Sequence, residues 1–196
     1  MSKNKGPDFI GVWKINSNLC EDIINFYNEH KDSHHQGISG DKIDLNKKKS
    51  TDLTIHPKDL KIPGHECLNE YFNELNKCYQ SYKEEWAILN ESFPEVDVGS
   101  FNIQKYEIGG HFSKIHSERM SLHNLHRLFA FMTYLNDDFE GGHTFFSHYG
   151  LSIKPETGKT LIWPAEWTHA HRGEEIKTNS KFIITGWLNI PLPKNY

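Results

Sequence analysis

Read for the spacing of its apolar residues, the chain changes texture near residue 100. Before that point the periodicity is helical. After a short apolar piece at 9–15, Leu19, Ile23, Phe26 and Tyr27 fall on one stripe, and Asn18 with Glu21 has the spacing of a capping box, so a helix is predicted over 18–30. Residues 31–50 are polar, with Gly37, Gly40 and a lysine run, and read as an exposed excursion ahead of a short strand at 51–55. From 64 to 89 apolar and aromatic residues recur at three- and four-residue steps, from Leu68 and Tyr71 through Leu75 and Tyr82 to Leu89. That stripe predicts a longer helix packed on a sheet, with Cys67 and Cys78 as small buried apolar residues. Beyond residue 100 the apolar pieces are short and rich in β-branched and aromatic residues, at 101–107, 112–116, 128–135, 144–147, 151–153, 160–163 and 182–188. Turn-forming clusters separate them, as at 136–142 and 155–158. Many short strands with no helical period between them predict a sandwich or barrel rather than a parallel sheet. The fold class is therefore mainly β with supporting α-helices.

Composition narrows the picture. At 196 residues the chain suits one domain over 1–196, with 1–99 as helical support carrying the first strands and 100–190 as the β core. No apolar run approaches the roughly 18 residues of a membrane-spanning helix. A net charge of −4 gives no global attraction to phosphate backbones, and the lysines at 47–49 are too few for a basic patch, so neither nucleic acid nor membrane is an expected partner. Three cysteines, Cys20, Cys67 and Cys78, without C-x-x-C spacing suggest a reducing compartment. The opening M-S-K-N-K-G-P-D is followed by no apolar leader segment, so a cytoplasmic location is expected. The pattern leaves the oligomeric state open. Histidine stands out, with 13 against 3 cysteines, so any bound metal is expected on nitrogen and oxygen ligands.

His116 and Glu118 stand two apart at the end of a predicted strand, a spacing that puts both on one face. His171, before the last strongly apolar strand, can add a second imidazole. Two histidines and one carboxylate on one face leave coordination positions open, as in non-haem iron oxygenases. His169 competes with His171, since both face inward if that segment is extended. Lys181 opens the strand K-F-I-I-T-G-W-L, where it shares a face with Ile183, Thr185 and Trp187. A lysine leading an apolar face either reaches solvent or meets an anionic ligand. Tyr106 and Tyr134 offer phenols to the same ligand.

Four blocks, Y-E-I-G-G-H-F-S-K-I-H-S-E (106–118), M-T-Y-L-N-D-D-F-E-G-G-H-T-F-F (132–146), S-I-K-P-E-T-G-K-T-L-I-W-P (152–164) and H-R-G-E-E-I-K-T-N-S-K-F-I-I-T-G-W (171–187), resemble in order and spacing the prolyl 4-hydroxylase branch of the Fe(II)/2-oxoglutarate-dependent oxygenases. The strand at 51–55 is similar to that of small bacterial and phage-encoded members, and a phage origin implies the host cytosol. The resemblance implies a double-stranded β-helix, a jelly-roll and cupin relative. It implies His116, Glu118 and His171 as the iron ligands and catalytic set, and Lys181 as the anchor of the distal carboxylate of 2-oxoglutarate. Tyr106 and Thr144 fall near that carboxylate, Tyr134, Met132 and Trp187 line the pocket, and Asn136 with Gly141 and Gly142 shapes the turn beside it. The implied cofactors are Fe(II), 2-oxoglutarate and O2, with ascorbate as reductant.

The implied reaction is hydroxylation of an unactivated C–H bond, first of all in a prolyl residue of a peptide or protein, with a small-molecule substrate also open. Arg127 is a candidate for binding a peptide backbone or anion, and 31–50 and 119–127 are candidate lids. The sequence departs from the family's H-x-D in reading H-S-E, and Gly110, followed by His111, stands where a glutamine is usual after the first glycine. Two other readings remain: a non-catalytic metal- or small-molecule-binding jelly roll, and a zinc hydrolase built on His169, His171 and Glu118.

Overall fold

The computed structural model describes residues 8–40 and 42–191; the opening residues 1–7, read above for a leader segment, lie outside the described residues. In chain order the first half carries β1 (Gly11–Lys14), α1 (Ser17–Glu29), β2 (His35–Gln36), β3 (Lys48–Lys49), β4 (Thr51–Ile55), α2 (Glu66–Glu85), α3 (Ile88–Ser92) and β5 (Asp97–Val98). The second half is built of strands: β6 (Phe101–Tyr106), β7 (His111–His116), β8 (Arg127–Tyr134), β9 (Glu140–Gly141), β10 (Thr144–Phe146), β11 (Leu151–Ile153), β12 (Lys159–Pro164), β13 (His171–Gly173), β14 (Ile176–Thr178) and β15 (Lys181–Asn189). No described helix is long and apolar enough to cross a membrane.

The larger sheet runs β1-β12-β8-β15-β6-β4-β2, with β5 also paired to β15, and the smaller runs β11-β10-β13-β7-β3; all the pairings are antiparallel. From β6 onward the chain alternates between them, since β6, β8, β12 and β15 lie in the larger sheet while β7, β10, β11 and β13 lie in the smaller. That winding is a double-stranded β-helix, as the fold class anticipated.

Period-two alternation gives the larger sheet two apolar faces. Phe101, Ile103, Phe131, Ile162 and Ile184 pack outward against α1 and α2, while Met132, Tyr134, Leu161, Trp163 and Ile183 face the space between the sheets. Gly186 is needed on the outward face: a Cβ there would sit 2.7 Å from the Phe131 ring and 2.8 Å from Phe101 Cβ. α1 buries Leu19, Cys20, Ile23, Phe26 and Tyr27, the expected stripe. Its cap differs from expectation. Asn16, not Asn18, caps the helix, its side chain accepting the Asn18 N–H at 2.9 Å.

The second predicted helix stops early. The backbone leaves helical geometry at Trp86 (φ −115°, ψ 72°), whose ring packs on Phe9, and restarts as α3 with Leu89 still against the core. The stretch 31–50 is less exposed than its polarity suggests. It contributes β2 and β3 to the two sheets, and Lys48 is buried at 4% exposure.

Candidate metal centre and adjoining pocket

The end of β7 and the start of β13 are neighbours in the smaller sheet, with His116 and His171 in direct register. Pairing thereby closes the long sequence gap between them. Glu118 lies just past β7, where the chain bends and its N–H donates to the Ala165 carbonyl at 3.2 Å. Glu118 Oε1 is 3.5 Å from His171 Nε2 and 3.9 Å from His116 Nε2. One ligand atom from each of the three residues lies within 4.8 Å of the others. A metal ion fits among such atoms.

The orientation of the rings also suits a metal. His116 Nδ1 meets the Lys114 carbonyl and His171 Nδ1 the His169 carbonyl, each at 2.9 Å. A carbonyl only accepts, so Nδ1 carries a hydrogen in both rings and Nε2 is the nitrogen on the Glu118 side. Burial, followed by the neighbouring His171, pushes the His116 pKa down to about 4. Burial alone would raise the Glu118 carboxyl. His171, His116 and the hydrogen bond from Trp187 outweigh it and hold the group below its ordinary range. Neutral imidazoles beside a carboxylate are the forms that bind a divalent cation. The His116 ring is further fixed by stacking on Phe112, centroids 3.9 Å apart.

His169 is not part of this set. The segment Trp167–His169 is a 3-10 turn rather than extended, and His169 Nε2 lies 2.8 Å from the Asp8 carbonyl while Nδ1 meets Thr168. The hydrolase set of His169, His171 and Glu118 is therefore not assembled, and the converging residue is His116.

Lys181 begins β15 opposite Tyr106 on β6. It is 3% exposed, its Nζ donates to the Gly142 carbonyl at 3.0 Å, and it lies 4.7 Å from the Tyr106 ring centre and 6.0 Å from that of Tyr134. Among the described residues no carboxylate stands within ion-pair distance of this ammonium. Burial pushes its pKa down to about 7, against a weak opposing pull from Glu174. A buried ammonium without an anion is costly, and an incoming carboxylate would relieve it.

The Tyr134 and Thr144 hydroxyls, 2.6 Å apart, lie deeply buried in the same interior, and Met132 belongs to that inner cluster too. Gly142, at φ +65°, presents the carbonyl that Lys181 uses; a Cβ there would be 2.4 Å from Ile176 and 3.2 Å from Lys181. Asn136 ties this corner to β15 by accepting the Phe182 N–H at 2.7 Å.

Two features escaped the sequence reading. Trp187 Nε1 donates to Glu118 Oε2 at 2.7 Å, so it touches the carboxylate besides lining the interior. Arg127, expected to meet substrate, lies over the Trp187 ring at 3.5 Å and 3.8 Å from Glu118 Oε2. The second feature is a buried polar chain behind Tyr106. The Tyr106 hydroxyl donates to Gln104 Oε1 at 2.7 Å, and Gln104 Nε2 donates to Asp52 Oδ2 at 3.1 Å. Asp52 also receives Ser50 at 2.7 Å and Lys48 at 2.6 Å. The available signal was period-two: Gln104 shares a face with Tyr106, so a polar inward position was readable.

A double-stranded β-helix that gathers two histidines and one carboxylate at its mouth has the donor set of a non-haem iron centre. Residues 101–189 match the family model of the 2OG-Fe(II) oxygenase superfamily, and the chain resembles the prolyl 4-hydroxylase-like branch of that superfamily. Similar solved structures include the viral collagen prolyl hydroxylase of Paramecium Bursaria Chlorella virus-1 in complex with 2OG, at 16% identity and TM-score 0.68, covering 94% of this chain and 97% of that one. A Pseudomonas putida prolyl-4-hydroxylase matches at 11% identity and TM-score 0.70, covering 93% of each chain. A Trichoplax adhaerens prolyl hydroxylase, in complex with a hypoxia inducible factor oxygen degradation domain peptide fragment, matches at 14% identity and TM-score 0.70, covering 93% of this chain and 84% of that one. At these identities the likeness is one of fold. No curated protein matches the sequence.

Proposed function

We propose that the protein is an Fe(II)- and 2-oxoglutarate-dependent dioxygenase that hydroxylates a prolyl residue in a peptide or protein, acting as one domain over 1–196 with its catalytic core at 100–190. The observation that carries this reading is the convergence of His116, Glu118 and His171 beside a buried lysine that lacks a carboxylate partner. His116 and His171 hold the metal through Nε2 and Glu118 holds it through Oε1. Lys181 pairs with the distal carboxylate of the keto acid, Tyr134 and Thr144 flank it, and the Tyr106 ring packs beside the ammonium. Met132 and Trp187 help close the apolar wall that keeps water out. When bound, the metal and keto acid supply the oxidising power: O2 is consumed as 2-oxoglutarate is cleaved to succinate and CO2, and one oxygen atom enters the substrate C–H bond. The prolyl preference is supported by the fold neighbours, one of which is bound to a peptide fragment.

Aerobic incubation with Fe(II), 2-oxoglutarate, ascorbate and proline-rich peptides tests the reading. Succinate is expected in step with a one-oxygen mass gain on peptide, and His116→Ala and Lys181→Ala are each expected to abolish both. Coupled turnover surviving in either variant refutes the site assignment. Tight metal binding without 2-oxoglutarate consumption would instead establish a non-catalytic binding protein.

A further inference from the structure

Glutamate at 118 poses a geometric problem that an aspartate would not. Its extra methylene adds a torsion and about 1.5 Å of reach, so the carboxylate can swing to offer both oxygens to an ion or turn away from it. In this chain the two oxygens are already divided. Oε1 lies 3.5 Å from His171 Nε2 and 3.9 Å from His116 Nε2, whereas Oε2 accepts the Trp187 indole N–H at 2.7 Å.

The indole is itself held in place. It stands opposite Ala130 on the neighbouring strand β8, a residue small enough to leave it room. The Arg127 guanidinium covers its face at 3.5 Å, anchored in turn by a hydrogen bond to the Glu118 carbonyl at 3.2 Å and 3.8 Å from Oε2. An N–H donating to a carboxylate is a strong, directional bond, and this one is half-buried.

We propose that Trp187, seated by Arg127, is a positioning residue that holds Glu118 in a one-oxygen ligating pose, and that this clamp is what allows glutamate to serve in place of aspartate. The proposal rests on the reading of His116, Glu118 and His171 as metal ligands. It gives Trp187 and Arg127 a task on the metal side of the site that needs no substrate.

Anaerobic titration of the full chain with Co(II), whose visible bands report coordination, separates the two layers of argument. His116→Ala is expected to abolish the bands. Trp187→Phe, which keeps an aromatic ring and removes the donor, is expected to weaken Co(II) binding by about 10- to 100-fold and to alter the band shape. On a Glu118→Asp background the shorter side chain no longer reaches the indole, so Trp187→Phe should weaken binding no further. Wild-type affinity and bands in Trp187→Phe, with His116→Ala inactive in binding, would overturn the clamp and leave the ligand set standing. Wild-type binding by His116→Ala would overturn the ligand set itself. Should Trp187→Phe not fold, Arg127→Met carries the test: it unseats the indole without removing it, and a loss of about tenfold is expected, with wild-type affinity refuting the clamp.

Discussion

Lys181 meets a backbone carbonyl and two aromatic rings but no described carboxylate within ion-pair reach, and that sets a pH dependence. Its pKa falls from 10.5 to about 7 through burial, so in the ligand-free protein the amine is largely neutral above that pH. A dicarboxylate pairs with the ammonium, not the amine. Binding of 2-oxoglutarate above pH 7 must therefore take up a proton, and its affinity should fall by up to about tenfold per pH unit. Calorimetry at pH 6.5, 7.5 and 8.5 in buffers of different ionisation enthalpy checks both the trend and the proton uptake. A flat affinity would exclude Lys181 as the anchor. The same shift has a stability side of known sign. The folded state holds its proton less tightly than the unfolded one, so the penalty is complete below pH 7 and fades as pH rises toward 10.5. Lys181→Met should stabilise the ligand-free protein at pH 6 by about 1–4 kcal/mol, with the difference gone near pH 10.5. This residue was legible in the sequence because a lysine on an apolar strand face is conspicuous. Its partner carbonyl was not, because Gly142 reaches it only through the turn.

At the scale of elements, the contact between α2 and the larger sheet includes a row of hydroxyls. Tyr71 lies 3.0 Å from Thr133, Thr133 lies 2.8 Å from Thr160, and Thr160 donates to the Gly158 carbonyl at 3.2 Å. All three side chains are fully buried, so each hydroxyl depends on the next. Tyr71→Phe removes the terminal group while keeping the ring, and should cost about 1 kcal/mol by chemical denaturation, with no effect on Co(II) affinity; an equal effect on both would mean that α2 helps shape the site. The helix itself was readable from its stripe, because amphipathic period is a property of the segment alone. Its end was not, since Trp86 leaves the helix for a contact with Phe9, far away in sequence. Two-residue strands such as β2, β3, β5 and β9 were equally invisible. They exist only through their partners, and no period can form over two positions.

For the whole molecule, the alternation of strands between two sheets is what brings His116 and His171 into register; the many short strands in the sequence pointed only to a sandwich or barrel, and the double-stranded β-helix was implied by the family resemblance. The seam between the sheets was hidden, because Lys48, which closes it, comes from the stretch 31–50, whose polarity reads as solvent-exposed. Lys48 lies on β3 in the smaller sheet and Asp52 on β4 in the larger, separated in the chain only by Lys49, Ser50 and Thr51. Their ion pair is 2.6 Å long with both side chains 4% exposed, and it binds one sheet to the other behind Gln104 and Tyr106. The two partners are not equivalent. Lys48→Met leaves Asp52 with the Ser50 hydroxyl and the Gln104 amide as donors. Asp52→Leu leaves a buried ammonium with no anion and strands both of those donors. Breaking the pair from either side should cost about 3–5 kcal/mol, with Asp52→Leu the worse. The double variant should cost less than the sum of the two, since the uncompensated charge is gone from both. Denaturant unfolding of the four proteins at one pH measures the coupling directly. Single variants within about 0.5 kcal/mol of wild type would show that the two sheets are held by their apolar interior alone. Additive losses would show that Lys48 and Asp52 act on the fold separately rather than as one tie.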